Sequence, residues 1–284
     1  MKLEEMYKSE KPVITFEVFP PKKDDFSELL LHLSVLKKYN PALVSVTYGA
    51  GGSSREKSFD IVKSVKKELG ITPMPHFTCI CSSKDFIVDY LNKIQAEEIE
   101  NILALRGDEP KEIDVCYRDF RYANELTEFI KQRTSLSVAV AGYPEGHVDS
   151  ASIEDDIDNL KRKVSSGASV IYTQLFFDNR YFLDFMERLD KADIQVPVIP
   201  GILPVSSYAQ LKRMTEMCGS KVPLETDKFF SKYADDEKSI FSAGVDFASR
   251  QCEELLAAGV KGFHFYTLNK SDQVSNILEN IIIQ

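Results

Sequence analysis

Short runs rich in β-branched and aromatic residues return at intervals of roughly thirty residues, and stretches with helical spacing lie between them. The runs are Val13–Phe19, Ala42–Tyr48, Met74–Ile80, Ile99–Leu105, Ser137–Gly142, Ala168–Phe177, Val196–Gly201 and Val260–Tyr266. Between the first three, apolar residues fall at Phe26, Leu29, Leu30, Leu33 and Leu36, then at Ile61, Val62, Val65 and Leu69. That spacing buries one face of a helix. Further helices are expected over 86–96, 122–131, 155–165, 182–189, 208–217, 244–258 and 271–283. Strands that are apolar on both faces belong in a parallel sheet covered by helices. Eight such strands in 284 residues match a closed eight-stranded β/α barrel, which needs about 250 residues. The expected fold is α/β, a single (βα)8 TIM barrel over residues 1–284. Leu203–Gly259 is longer than one connection needs, so extra helices are expected between strands seven and eight, with a mobile active-site loop around Pro223–Asp236.

A barrel of this kind places its chemistry where strands end and the following loops begin. Polar residues collect there: Glu17, Thr47, His76, Arg106, Asp108, Tyr143, His147, Gln174, Tyr266 and Lys270. So many in otherwise apolar strands point to a large site for a sizeable organic ligand. Glu17 stands inside the apolar run that Pro20-Pro21 closes. Burial should raise its pKa, and a carboxylic acid still protonated near neutral pH can serve as a general acid. The alternative is a Glu17 that faces solvent at a sheet edge or pairs with a lysine.

Other function classes are narrowed by composition. The formal net charge is −9, which argues against broad nucleic-acid binding or a basic membrane surface. No apolar run approaches the ~20 residues of a membrane helix, and Met1–Lys8 has no signal-peptide pattern. Five cysteines without a regular framework suggest a reducing cytoplasm. His76, Cys79 and Cys81 do not make a zinc set, since His76 and Cys79 face opposite sides of a strand. No Gly-x-Gly-x-x-Gly follows a strand, so a dinucleotide would be met by side chains and loop amides rather than by a Rossmann turn.

Eight blocks, in order along the chain, resemble methylenetetrahydrofolate reductase of the short bacterial type: Thr15–Pro21, Val44–Ala50, Pro75–Cys79, Ala104–Asp108, Asn159–Lys163, Thr173–Asp178, Ile199–Val205 and Phe263–Asn269. The resemblance implies a β/α barrel that carries FAD. It implies reduction of 5,10-methylenetetrahydrofolate to 5-methyltetrahydrofolate with NADH or NADPH, supplying methyl groups for methionine synthesis. It also implies a cytoplasmic homo-oligomer, dimer or tetramer. By the same resemblance, flavin contacts fall on Thr47, Tyr48, Ala50, His76, Arg106, Gly107, Asp108, Ala123, Tyr143, His147, Asp156, Asn159, Arg162 and Lys163. Asp156, Asn159 and Lys163 have the spacing of one helix face, although Lys161-Arg162-Lys163, taken alone, reads as a solvated face. Gly107 would let the backbone approach a planar ring.

Catalytic roles implied by the resemblance go to Glu17, as the acid that opens the folate's methylene bridge, and to Asp108, between flavin and folate. Taken alone, Asp108 reads as a loop cap in an Arg-Gly-Asp turn. Folate contacts fall on Gln174, Gln210, Tyr266 and Lys270. Two positions depart from the family pattern: Lys270 replaces an arginine that would meet the folate's glutamate tail, and Met214 replaces a stacking aromatic. His264 reads as a core or supporting group, and Phe176 and Phe177 as core. A folate-dependent methyltransferase without flavin and a non-catalytic partner subunit are the competing readings. The first would be colourless, whereas a flavoprotein is yellow and bleached by NAD(P)H.

Overall fold

Strands buried on both faces organise the molecule. In the computed structural model, which describes residues 1–48, 52–108 and 119–281, the eight strands close into a parallel barrel in sequence order. They are β1 (Val13–Val18), β2 (Leu43–Val46), β3 (Pro73–Thr78), β4 (Asn101–Leu105), β5 (Ser137–Gly142), β6 (Val170–Leu175), β7 (Val198–Ile202) and β8 (Gly262–Tyr266). Closure is made by β1 and β8, with Thr15 opposite His264 and Glu17 opposite Tyr266. Every strand foreseen from its apolar run is present, within a few residues at its ends.

Alternate residues serve two cores. Ile14, Phe16 and Val18 on β1 join the large cluster between barrel and helices. Val13, Leu43, Met74, Leu103, Ala139, Val170 and Ile199 fill the barrel itself. The outer layer comprises α2 (Ser27–Leu36), α3 (Gly52–Lys67), α4 (Lys84–Ala96), α5 (Ala123–Arg133), α6 (Ile153–Ser165), α7 (Asn179–Lys191) and α8 (Tyr208–Cys218), with α9 (Leu224–Ser231), α10 (Glu237–Ala257) and α11 (Asp272–Asn280). Among the described residues, no helix is long and apolar enough to cross a membrane.

Three features differ from expectation. A short helix, α1 (Leu3–Met6), precedes the barrel and plugs the end where the strands begin; Leu3, Met6 and Tyr7 are buried there. Asn101 clamps it, accepting from Leu3 N at 3.0 Å and donating to Met1 O at 2.9 Å. Much of the loop expected around Pro223–Asp236 is α9, anchored by the fully buried Phe230. The long helix begins at Glu237, not near Gly244. Asp236 caps it by accepting from the amides of Lys238 and Ser239 at 3.1 Å each. Asp is a strong N-cap residue, and that signal was available in the sequence.

Candidate active site

Reading inward positions upward along each strand gives a floor of apolar side chains and, above it, a polar layer. On β1 the inward series is Val13, Thr15, Glu17, and on β2 it is Leu43, Ser45 and then Thr47 beyond the strand. On β3 it runs Met74, His76, Thr78, and on β8 Gly262, His264, Tyr266. Two-residue periodicity therefore aims the polar groups at the C-terminal mouth.

Glu17 is the centre of that layer. Its Oε2 lies 3.5 Å from His76 Nε2 and 3.5 Å from His264 Nε2, and 20% of its side chain is exposed. This corrects the expectation of a carboxyl raised by apolar surroundings. Burial does push the pKa up, but the hydrogen bond from His264 and the charges available on His76 and His264 outweigh it. The result is a carboxyl held below its ordinary range. Neither open alternative holds, since Glu17 points inward and its partners are imidazoles. His76 is pushed the other way: burial lowers it to about 4. It is neutral at pH 7, and its buried Nε2 has no hydrogen-bond partner.

A second group lines the mouth above β4 and β5. Lys163 Nζ reaches in from α6 to donate to Ala141 O at 3.0 Å and lies 5.8 Å from the Tyr143 ring. Burial lowers its pKa while Asp156 opposes the shift. Asp156 is buried and accepts from Ser150 Oγ at 3.1 Å. His147 stands edge-on to Tyr143 at 4.6 Å, and burial lowers its pKa too. Arg106 pairs with Asp149 at 2.7 Å, close enough to act electrostatically on Tyr143, His147 and Lys163. Helix α6 turns Asp156, Asn159 and Lys163 toward the barrel, while Arg162 is exposed and donates to Asn159 Oδ1 at 3.0 Å.

The remaining expected flavin contacts divide. Thr47 follows β2 at the mouth, half-buried. The Tyr48 ring is packed away from it, against Phe77 at 5.1 Å and Tyr90 at 5.9 Å. Ala123 opens α5 and is buried. Ala50 lies outside the described residues. Gly107 has φ +81, and a Cβ there would meet Thr78 Cβ at 2.8 Å and Ile80 Cγ2 at 2.9 Å. The missing side chain thus lets this turn lie close against β3 and the loop beyond. Asp108, next along, is exposed, and its charge acts on both Tyr143 and Cys218.

Of the expected folate contacts, Gln174 projects inward from β6, half-buried. The Tyr266 hydroxyl donates to Thr173 O at 2.8 Å. Gly201 makes room for it: a Cβ there would lie 2.7 Å from Tyr266 Cε2 and would also strike Thr173 O. Lys270 is exposed beyond β8. Gln210 is committed internally, with Oε1 accepting from Ser206 N and Oγ and Nε2 donating to Pro204 O at 3.2 Å. Met214 packs against the cluster of Leu211, Phe230 and Ile240. Phe176 and Phe177 are core.

Sequence reasoning missed Thr15, Ser45 and Cys218 at this site and underrated His264. Thr15 and Ser45 share the inward parity of Glu17 and Thr47, so strict period-two counting would have found them. Cys218 ends α8, and burial with the charges of Glu17 and Asp108 raises its thiol to about 11. Its place at the mouth follows from the path of α8 alone. Among the described residues, no group of three or more His, Cys, Asp or Glu could hold a metal ion.

Comparison with known proteins adds a family. The family model for methylenetetrahydrofolate reductase matches residues 2–282. The 5,10-methylenetetrahydrofolate reductase of Escherichia coli (strain K12) is 36% identical over 260 residues, covering 91% of this chain and 87% of its own. The methylenetetrahydrofolate reductase (NADH) 1 of Arabidopsis thaliana is 34% identical over 282 residues, and the match covers 94% of this chain but 48% of the plant protein. An uncharacterized protein from Clostridium thermocellum, solved with two copies of 5-methyl-5,6,7,8-tetrahydrofolic acid, superposes with a TM-score of 0.65 over 98% of this chain and 96% of its own. At 13% identity that likeness concerns the fold.

Proposed function

The chain belongs to the methylenetetrahydrofolate reductase family, and on that premise we propose that it is a flavoprotein reducing 5,10-methylenetetrahydrofolate to 5-methyltetrahydrofolate with NADH or NADPH. The observation that carries the reading is the inward carboxyl of Glu17 between two imidazoles at the barrel mouth. Family membership supports the further expectations of a cytoplasmic homo-oligomer, dimer or tetramer, that feeds methyl groups to methionine synthesis.

The residues present suit FAD. Lys163 has donors left beyond its bond to Ala141, and Arg106 stands within electrostatic reach of it. Together they can meet a pyrophosphate's charge. The unpartnered Nε2 of His76, with Thr47, the Tyr48 backbone, Gly107, Tyr143 and His147, offers polar and aromatic contacts for a ring system. Ala123, Asp156, Asn159 and Arg162 complete the set. When bound, the flavin supplies the hydride that converts the substrate's methylene carbon to a methyl group.

The chain's own task is the proton. The bridging carbon accepts hydride only as an iminium, so one of its two C–N bonds must break first. A proton placed on the leaving nitrogen promotes that break, and Glu17 is assigned to deliver it. The hydrogen bond from His264 and the imidazoles beside it favour the ionised form of Glu17. A pterin covering the mouth expels water and strengthens the desolvation that raises the carboxyl's pKa. Glu17 accordingly takes up a proton as the substrate seats. Gln174, Tyr266 and Lys270 are assigned to orient the folate; Gln210 would act on it by holding the loop that follows β7. Asp108 is assigned a position between the two ligands, as family membership implies.

Anaerobic stopped-flow on the two half-reactions tests this. Glu17→Gln should slow folate reduction by roughly 10²-fold or more and leave flavin reduction by NADH near the wild-type rate. Calorimetry in buffers of different ionisation enthalpy should show proton uptake on folate binding by wild type and none by Glu17→Gln. Equal losses in both half-reactions would make Glu17 structural.

A further inference from the structure

Strand β6 carries one residue more than β7 can match. Tyr172 pairs with Ile199 and Leu175 with Gly201, so Thr173 and Gln174 together face the single residue Pro200. This is a β-bulge, a device that interrupts the ladder and, beside a site, re-aims a side chain. Pro200 suits the place, because a proline has no N–H to give to a ladder. Side chains take hold of the backbone here. Thr173 is buried, and its Oγ accepts from Gly201 N at 2.9 Å. Its carbonyl oxygen accepts from the Tyr266 hydroxyl at 2.8 Å. Gln174 Oε1 accepts from Leu175 N at 2.9 Å. Tyr266 reaches this point from β8, across Gly201 of the intervening strand. A Cβ on Gly201 would lie 2.7 Å from Tyr266 Cε2 and 2.8 Å from its hydroxyl oxygen.

These bonds fix Gln174 from both sides. Thr173 O and Gln174 N belong to one rigid peptide plane, and Gln174 O and Leu175 N belong to the next. Tyr266 pins the first plane and the glutamine's own amide pins the second, so the direction in which the side chain leaves the strand is set. Hydrogen-bond chemistry then sets the amide. Leu175 N–H can be met only by an acceptor, so the atom facing it is Oε1 and not Nε2. Nε2, with two N–H groups and no partner among the described residues, is left for a ligand at the half-buried end of the side chain. Gln174 therefore faces the mouth as a donor, matched by a carbonyl oxygen or an unprotonated ring nitrogen.

We propose that Tyr266 is a positioning residue: by holding the Thr173 carbonyl across Gly201, it keeps Gln174 turned to donate from Nε2 to an acceptor on the folate's pterin. Tyr266 acts on the folate only through Gln174. The inference rests on the folate assignment of Gln174 given above. Without the phenol the Thr173 carbonyl has lost that partner, the peptide plane before Gln174 can turn, and the amide is no longer aimed.

A double-mutant cycle on the flavin-loaded protein, with 5-methyltetrahydrofolate as the probe, reads the coupling. Gln174→Ala should raise the Kd roughly tenfold and Tyr266→Phe roughly three- to tenfold, each on the scale of one hydrogen bond. In the Gln174→Ala background, Tyr266→Phe should change the Kd by less than about twofold. Losses that multiply would mean that Tyr266 touches the folate itself, and they overturn the proposal. So does a Gln174→Ala variant that binds as tightly as wild type. Amide hydrogen exchange gives a second readout that needs no folate. The Leu175 amide should exchange several-fold faster in Tyr266→Phe than in wild type, because its bond to Gln174 Oε1 is made less often. An unchanged rate overturns the proposal. If the wild type binds no 5-methyltetrahydrofolate, the folate reading falls, and the exchange rates still decide whether Tyr266 holds Gln174. Should Tyr266→Phe fail to fold, Gly201→Ala, which crowds the same hydroxyl, takes its place in the cycle with the same expected coupling, and multiplying losses overturn the proposal there too.

Discussion

His76 shows how far one side chain can depart from its solution chemistry. Its folded pKa is about 4, against about 6.5 in an unfolded chain. Between those values the unfolded chain binds a proton that the folded protein refuses. Stability is therefore complete above the unfolded value and falls as pH drops through the interval, by about 3 kcal/mol for the shift of roughly 2.5 units. Glu17, lowered as well, adds a loss of the same sign as pH falls through its own folded value. Urea unfolding at pH 7 and pH 4.5 should show the wild type losing most of this and His76→Gln losing less. An equal loss in both would move the acid sensitivity elsewhere. Asp108 belongs to the same scale. A negative charge there disfavours the reduced flavin, so Asp108→Asn should raise the flavin potential by a few tens of millivolts, about 30 mV for each 1.4 kcal/mol of a two-electron couple. It should also weaken folate binding. Redox titration and equilibrium binding read the two effects, and unchanged values of both would remove Asp108 from the site. These residues were legible as polar groups in apolar strands. The direction in which Glu17 titrates was not, because His264 lies 247 positions away in the chain.

At the scale of elements, the strands were the most readable part. Each is a run of apolar residues long enough to cross the sheet, and local composition is enough to mark it. Helix α1 was unreadable for the opposite reason. Four residues have no helical stability of their own, and α1 exists because Leu3 and Met6 find the open bottom of a barrel formed later in the chain. Asn101 makes that docking specific. Asn101→Ala removes a buried partner of both Leu3 N and Met1 O and should destabilise by about 1–3 kcal/mol. The denaturation midpoint should fall with little change in flavin reduction. A variant as stable as wild type would mean the apolar plug holds α1 unaided. Helices α9 and α10 show a mixed case: Asp236 advertised the start of α10, whereas α9 depends on Phe230 reaching a core that no local pattern announces.

The closed barrel makes the mouth one site, because residues from all eight strands or the loops after them face a common axis. A ligand that spans this mouth, and binds only the folded chain, stabilises the whole. FAD at a hundredfold excess over its Kd should contribute about 2.7 kcal/mol, seen as a rise of several degrees in the thermal midpoint. No rise with FAD, and a colourless protein, would overturn the flavin assignment whatever the standing of the folate reading.

The sequence by itself determined the alternation of strands and helices, the count of eight and the phase that turns polar residues inward. These are consequences of local periodicity and of the area each segment must bury. Only the tertiary structure decided what those inward groups meet. Ring closure sets β8 beside β1, so His264 reaches Glu17 and Thr15, and α1 brings Tyr7 to Tyr172. Proton affinity depends on charges and hydrogen-bond partners a few ångströms away, whatever their separation along the chain, and no local pattern records that distance.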